Sequence, residues 1–130
     1  MRAIRLIWLL LAVLGALLAG WEATWDMAQV SSCDTLLTPD NENWCFTSIA
    51  AHLGIWPNLG VAIAFVAPAA VAALVLRRWV SWTVVAVYLG MTVLAVIRWW
   101  TLVGMLVWAA PLFAGALIIA AVQTAVCERR

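Results

Sequence analysis

Residues 80–126 read VSWTVVAVYLGMTVLAVIRWWTLVGMLVWAAPLFAGALIIAAVQTAV, and how often this stretch crosses a membrane decides the fold. As one helix it would be about 70 Å long at about 1.5 Å per residue, more than twice a hydrocarbon core of about 30 Å. The chain must therefore turn inside it. Arg98, followed by Trp99 and Trp100, marks "RWWT", Arg98 to Thr101, as the interfacial turn, because charge and tryptophan gather at the headgroups. A turn near Pro111 is the alternative, although proline in a membrane helix often produces only a kink.

Working outward, the same length criterion finds two more spans. A crossing needs about 20 mostly apolar residues. "IRLIWLLLAVLGALLAGW", Ile4 to Trp21, is the first; Arg5 lies within a turn of its end and can snorkel to the interface. "LGVAIAFVAPAAVAALVL", Leu59 to Leu76, is the second, with a kink expected at Pro68. The predicted spans are 4–21, 59–76, 80–97 and 101–126. A secretory signal is the competing reading of the N-terminus, but the apolar stretch is long for one.

Composition supports this. The chain has 130 residues, 68% hydrophobic and 10% charged, where a soluble domain carries about 25% charged residues. The expected fold is an all-α integral membrane protein, a four-helix bundle. Net charge is +1 with no basic stripe, which argues against nucleic acid as a partner.

Orientation is read from the arginines. With four spans, Arg2, Arg5, Arg77, Arg78, Arg129 and Arg130 fall on one side and Arg98 alone on the other. The positive-inside rule then places both termini in the cytoplasm of an inner or plasma membrane, and the loop 22–58 outside. That loop carries Glu22, Asp26, Asp34, Asp40 and Glu42 with no base.

Within it, "SSCDTLLTPDNENWCFTS", residues 31–48, holds Cys33 and Cys45. Thiols outside the cytoplasm tend to be oxidised, so a Cys33–Cys45 disulfide stapling the outer loop is the leading expectation. A metal site from Cys33, Asp34, Asp40, Glu42, Cys45 and His52 has the ligand types but no zinc spacing. The layout is similar to small four-span thiol oxidoreductases of the DsbB and vitamin K epoxide reductase type. Those families carry a C-x-x-C pair working on a quinone, and none occurs here.

After Cys45, Phe46, Ile49, Ala50 and Leu53 form a short apolar stripe opposite Thr47, Ser48 and His52, suited to the outer interface before Pro57. His52 reads as a headgroup-level residue.

The spans hold no Asp, Glu, Lys, Arg or His near their centres, which argues against a proton-coupled transporter. Small multidrug-resistance transporters place a glutamate mid-membrane in the first helix; Glu22 sits at the span's end. Small residues at four-residue spacing permit close packing: Gly15/Ala19, Ala16/Gly20, Ala69/Ala73, Ala86/Gly90, Ala110/Ala114 and Ala116/Ala120. Nine of the ten tryptophans, Trp8 among them, lie near span ends or in the outer loop, as an aromatic belt would. Trp108 is placed inside a span, where a pigment, quinone or lipid surface would need Tyr88, Phe65 or Phe113 beside it.

Trp21 and Trp25 alternate with Glu22 and Asp26, one turn apart, so an acidic stripe lies beside an aromatic one. These four are the candidate partner-docking residues, with solvation of the acids the simpler expectation. The leading functional expectation is a non-enzymatic accessory or assembly subunit packed with other membrane subunits. The alternatives are a homo-oligomeric channel or carrier for a neutral or lipidic solute, with Ser81, Thr83 and Thr92 as candidate lining, and a thiol–disulfide oxidoreductase. No cofactor is identified.

Overall fold

The computed structural model describes residues 2–26, 46–98 and 102–128. In lipid every backbone polar group must be satisfied within the protein, and a helix does this locally. The elements follow: α1 (Arg2–Glu22), α2 (Ile49–Leu53), α3 (Ile55–Val75), α4 (Arg78–Ile97), a 3-10 helix (Leu102–Trp108) and α5 (Ala109–Glu128). Four helices are long and apolar enough to cross a membrane: Arg2–Glu22, Ile55–Val75, Arg78–Ile97 and Gly104–Val126.

The fourth span departs from expectation at its start. Residues 102–108 wind as a 3-10 helix, and the α-helix begins only at Ala109. Pro111 is the reason neither a turn nor a mid-helix kink is needed there. It stands in the first turn of α5, where its missing N–H has no partner to lose. α4 and α5 run antiparallel: Ser81 reaches Gln123, and Trp82 reaches Thr124. Pro68 lies inside α3, which runs on through it to Val75 as the sequence leads one to expect.

The helices are pinned at the arginine-bearing end by side chains that capture carbonyls at the C-terminus of α3. Arg5 Nε donates to Ala73 O (3.1 Å), which brings the start of α1 to the end of α3. Leu76 caps α3 in the left-handed region (φ 50°), an unusual place for a branched side chain. Its carbonyl accepts from Gln123 Nε2 (3.1 Å), while Gln123 Oε1 accepts from Ser81 Oγ (2.8 Å). Gln123 is buried and ties α3, α4 and α5 together. Interhelical hydrogen bonds in membranes average about 0.6 kcal/mol and reach about 1.7. Gln123→Leu loses both bonds and leaves a buried hydroxyl and a carbonyl unpaired. It is expected to cost about 1–2 kcal/mol, read as an earlier midpoint when the detergent-solubilised protein is titrated with SDS.

At mid-bundle, α1 meets α3 at Gly15, where a Cβ would stand 2.9 Å from the Phe65 carbonyl oxygen. Tyr88 Oη donates to that same oxygen (2.6 Å), joining α4 to the contact. Of the small-residue pairs, Gly15/Ala19, Ala69/Ala73 and Ala116/Ala120 are buried, whereas Ala16/Gly20 and Ala86/Gly90 face outward. Trp8 departs from the aromatic belt: it is fully buried in the core against α1's neighbours.

At the other end, an isolated bridge between Asp26 and Ser48 closes the base of the segment between them. Ser48 caps α2 through its Oγ, and Gly54 ends it at φ +77°, a conformation glycine adopts without strain. The apolar stripe of residues 46–53 divides: Ile49 is buried and Leu53 half-buried, but Phe46 and Ala50 are exposed. Only residues four apart on one face reach the bundle from so short a helix.

Candidate functional site

The end of the bundle holding the C-terminus of α1 gathers the side chains with chemistry to offer. α1 brings Trp21 and Glu22. The following turn, held by Ala23 N to Ala19 O and Trp25 N to Glu22 O, brings Trp25. Ile49 N donates to Trp25 O (2.8 Å), fixing α2 beside it. The 3-10 helix contributes Met105 and Trp108, and Trp25 packs on the buried pair Ile49 and Met105.

Three indoles meet here. Trp21 and Trp25 lie 5.7 Å apart at 88°, Trp25 and Trp108 5.4 Å apart at 83°, and Trp21 and Trp108 5.0 Å apart at 50°. Edge-to-face contacts of this kind contribute about 0.5–1.5 kcal/mol each beyond burial. Trp108 belongs to this cluster and also packs on the core that holds Phe65 and Tyr88, where Tyr88 Oη donates to Phe65 O.

Glu22 is the unexpected member. Its position at the end of a span suggests a solvated carboxylate, yet it is 1% exposed, and its Oε2 has no hydrogen-bond partner. The indole Nε1 of Trp108 is likewise buried without an acceptor. A buried acceptor on Glu22, next to Trp21 in the chain, and a buried donor on Trp108 are thus both left without partners, at a cost of about 1–3 kcal/mol for each such group. Asp26, one turn on, is exposed, as is half of the Trp21 surface. The four candidate docking residues are brought to one end, with the two acids divided between inside and outside.

The burial of Glu22 has no signal in sequence, because hydropathy says only that α1 ends there. Gln123 was equally silent, a polar residue near a chain terminus that turns out to be the best-bonded side chain between helices. Ser81, Thr83 and Thr92, candidates for a lining, spend their hydroxyls internally: Ser81 on Gln123, Thr83 on Trp79 O (2.9 Å) and Thr92 on Tyr88 O (2.9 Å).

Cys33 and Cys45, with the metal alternative that includes Asp34, Asp40 and Glu42, lie outside the described residues. Among the described residues no three of His, Cys, Asp and Glu are grouped to hold a metal ion. His52 is exposed. No protein-family model matches the chain, and neither a curated protein nor a solved structure matches it significantly.

Proposed function

We propose that this chain is a non-enzymatic accessory or assembly subunit of a larger membrane complex, docking through the Trp21–Glu22–Trp25–Asp26 end of its bundle. The observation that carries the reading is the Glu22 carboxyl, buried with an unpaired oxygen beside an exposed tryptophan. An isolated chain gains nothing from such a group, whereas a partner presenting a cation or an N–H donor would complete it. The hydroxyls of Ser81, Thr83, Tyr88 and Thr92 support the same reading, because each is committed to a fixed internal bond.

The test is purification of the tagged chain from native membranes in mild detergent, with mass spectrometry of the eluate. Stoichiometric foreign subunits are expected. A chain that elutes only with copies of itself would move the reading to the homo-oligomeric channel or carrier, for which the outward pairs Ala16/Gly20 and Ala86/Gly90 would allow close approach.

The outer loop in this reading is stapled by Cys33–Cys45 and both termini are cytoplasmic, as the arginine distribution supports. Arg2, Arg5, Arg77 and Arg78 occupy one end of the bundle and Arg98 the opposite one. A membrane-impermeant maleimide applied to intact cells is expected to label nothing until a reductant is added, and then two thiols. Cys127 should react only after permeabilisation. Labelling of Cys127 first would invert the orientation, and labelling of Cys33 and Cys45 without reductant would remove the staple.

A further inference from the structure

The bundle is tighter along some seams than others. α1 lies along α3, and α4 along α5, whereas α3 and α4 touch sparingly. Between these two a groove of about 410 Å³ opens on the surface, walled by Ala67, Pro68, Val71, Trp79, Thr83 and Val87. Its lining is wholly apolar: the Thr83 hydroxyl is turned to Trp79 O, which leaves the methyl.

The groove runs from mid-bundle to the arginine-bearing end, where Trp79 stands exposed at its mouth. Beyond Trp79 a shallow depression continues over Arg78, Trp82 and Ala86. Arg78 lines this depression, and Arg77, its neighbour in the chain, is also exposed. An apolar groove with exposed arginines beside its mouth has the polarity of a hydrocarbon chain with an anionic head.

Charge decides the occupant: an apolar groove alone would also take a ridge of a partner helix, but exposed arginines beside its mouth call for an anion. We propose that the α3–α4 groove binds an anionic phospholipid, one acyl chain lying on Pro68 and Val71 and the phosphate meeting Arg77 and Arg78. A zwitterionic lipid would fit the groove equally well but would bring an ammonium group to the same arginines.

The experiment is native mass spectrometry of the full chain, purified in mild detergent and supplied with equimolar phosphatidylglycerol and phosphatidylcholine. Preferential retention of phosphatidylglycerol is expected. A basic residue near a membrane surface contributes about fivefold to anionic-lipid binding, so Arg77→Gln should lower that preference about fivefold and the R77Q/R78Q pair about thirtyfold. Val71→Trp, at an exposed position, should fill the groove and reduce retention of both lipids, with helicity by circular dichroism unchanged. Equal retention of the two lipids by the unaltered chain would overturn the proposal. So would full phosphatidylglycerol retention by the arginine pair variant, or retention indifferent to V71W. An uncharged lipid carried through purification in its place, or a protein subunit lost on V71W, would overturn it as well.

Discussion

Gly15→Leu is expected to prevent the bundle from assembling, and Gly15→Ala to weaken it by about 1–3 kcal/mol, the usual cost of overpacking a close contact. The added Cβ would meet Phe65 at 2.9 Å from its carbonyl oxygen, 3.2 Å from its carbonyl carbon and 3.3 Å from its Cβ. The first two of these atoms are backbone, so no side-chain rotation relieves the clash; α1 and α3 must move apart. That movement is transmitted, because the same oxygen accepts the Tyr88 hydroxyl at 2.6 Å. Tyr88→Phe alone removes one interhelical bond, worth about 0.6–1.7 kcal/mol. Combined with Gly15→Ala it should cost less than the two separate losses, because the first change already strains the bond that the second deletes. Ala16→Leu serves as the control, since Ala16 faces outward and has room for a larger side chain. SDS titration followed by near-ultraviolet circular dichroism reads the loss of packing while helices persist. A wild-type profile for G15L would mean that α1 and α3 do not meet at Gly15.

Why four spans were legible in the sequence, and the interior was not, follows from the solvent. Hydropathy reports what a segment dissolves in, and Arg98 with the two tryptophans after it had to mark the end of a helix because the stretch around it is too long for one crossing. The arginines likewise had to fall at one end once the number of crossings was known. Inside the bundle that logic fails. Each span is apolar on every face, so periodicity does not say that Gly15 faces α3 while Ala16 faces outward, or that Trp8 lies in the core. Short elements fail for a different reason. The 3-10 helix before Ala109 and the split stripe of α2 depend on where neighbouring elements sit, and local propensity is silent about that. Glu22 belongs to the same class: α2 and the 3-10 helix, distant in sequence, return beside the end of α1.

Glu22→Leu is expected to make the isolated chain more stable and to cost it its place in a complex. Replacing an unpaired buried carboxyl by an apolar side chain of similar size removes a desolvation penalty of about 1–3 kcal/mol. The SDS midpoint of the purified variant should therefore rise. If a partner donates a hydrogen bond or a charge to Oε2, the same change deletes a contact worth about 1.5–3 kcal/mol, and recovery of the foreign subunits should fall about tenfold or more. Glu22→Gln keeps one acceptor oxygen and should fall between the two in recovery. Trp21→Ala, at the exposed edge of the cluster, should reduce recovery with little change in the midpoint if the partner covers that ring. A lower midpoint for E22L would mean that the carboxyl already stabilises the single chain. Full recovery with a raised midpoint would remove this end of the bundle as the docking site. A stabilised chain that no longer assembles would show that the unpaired carboxyl is retained for its partner, because its own fold is better without it.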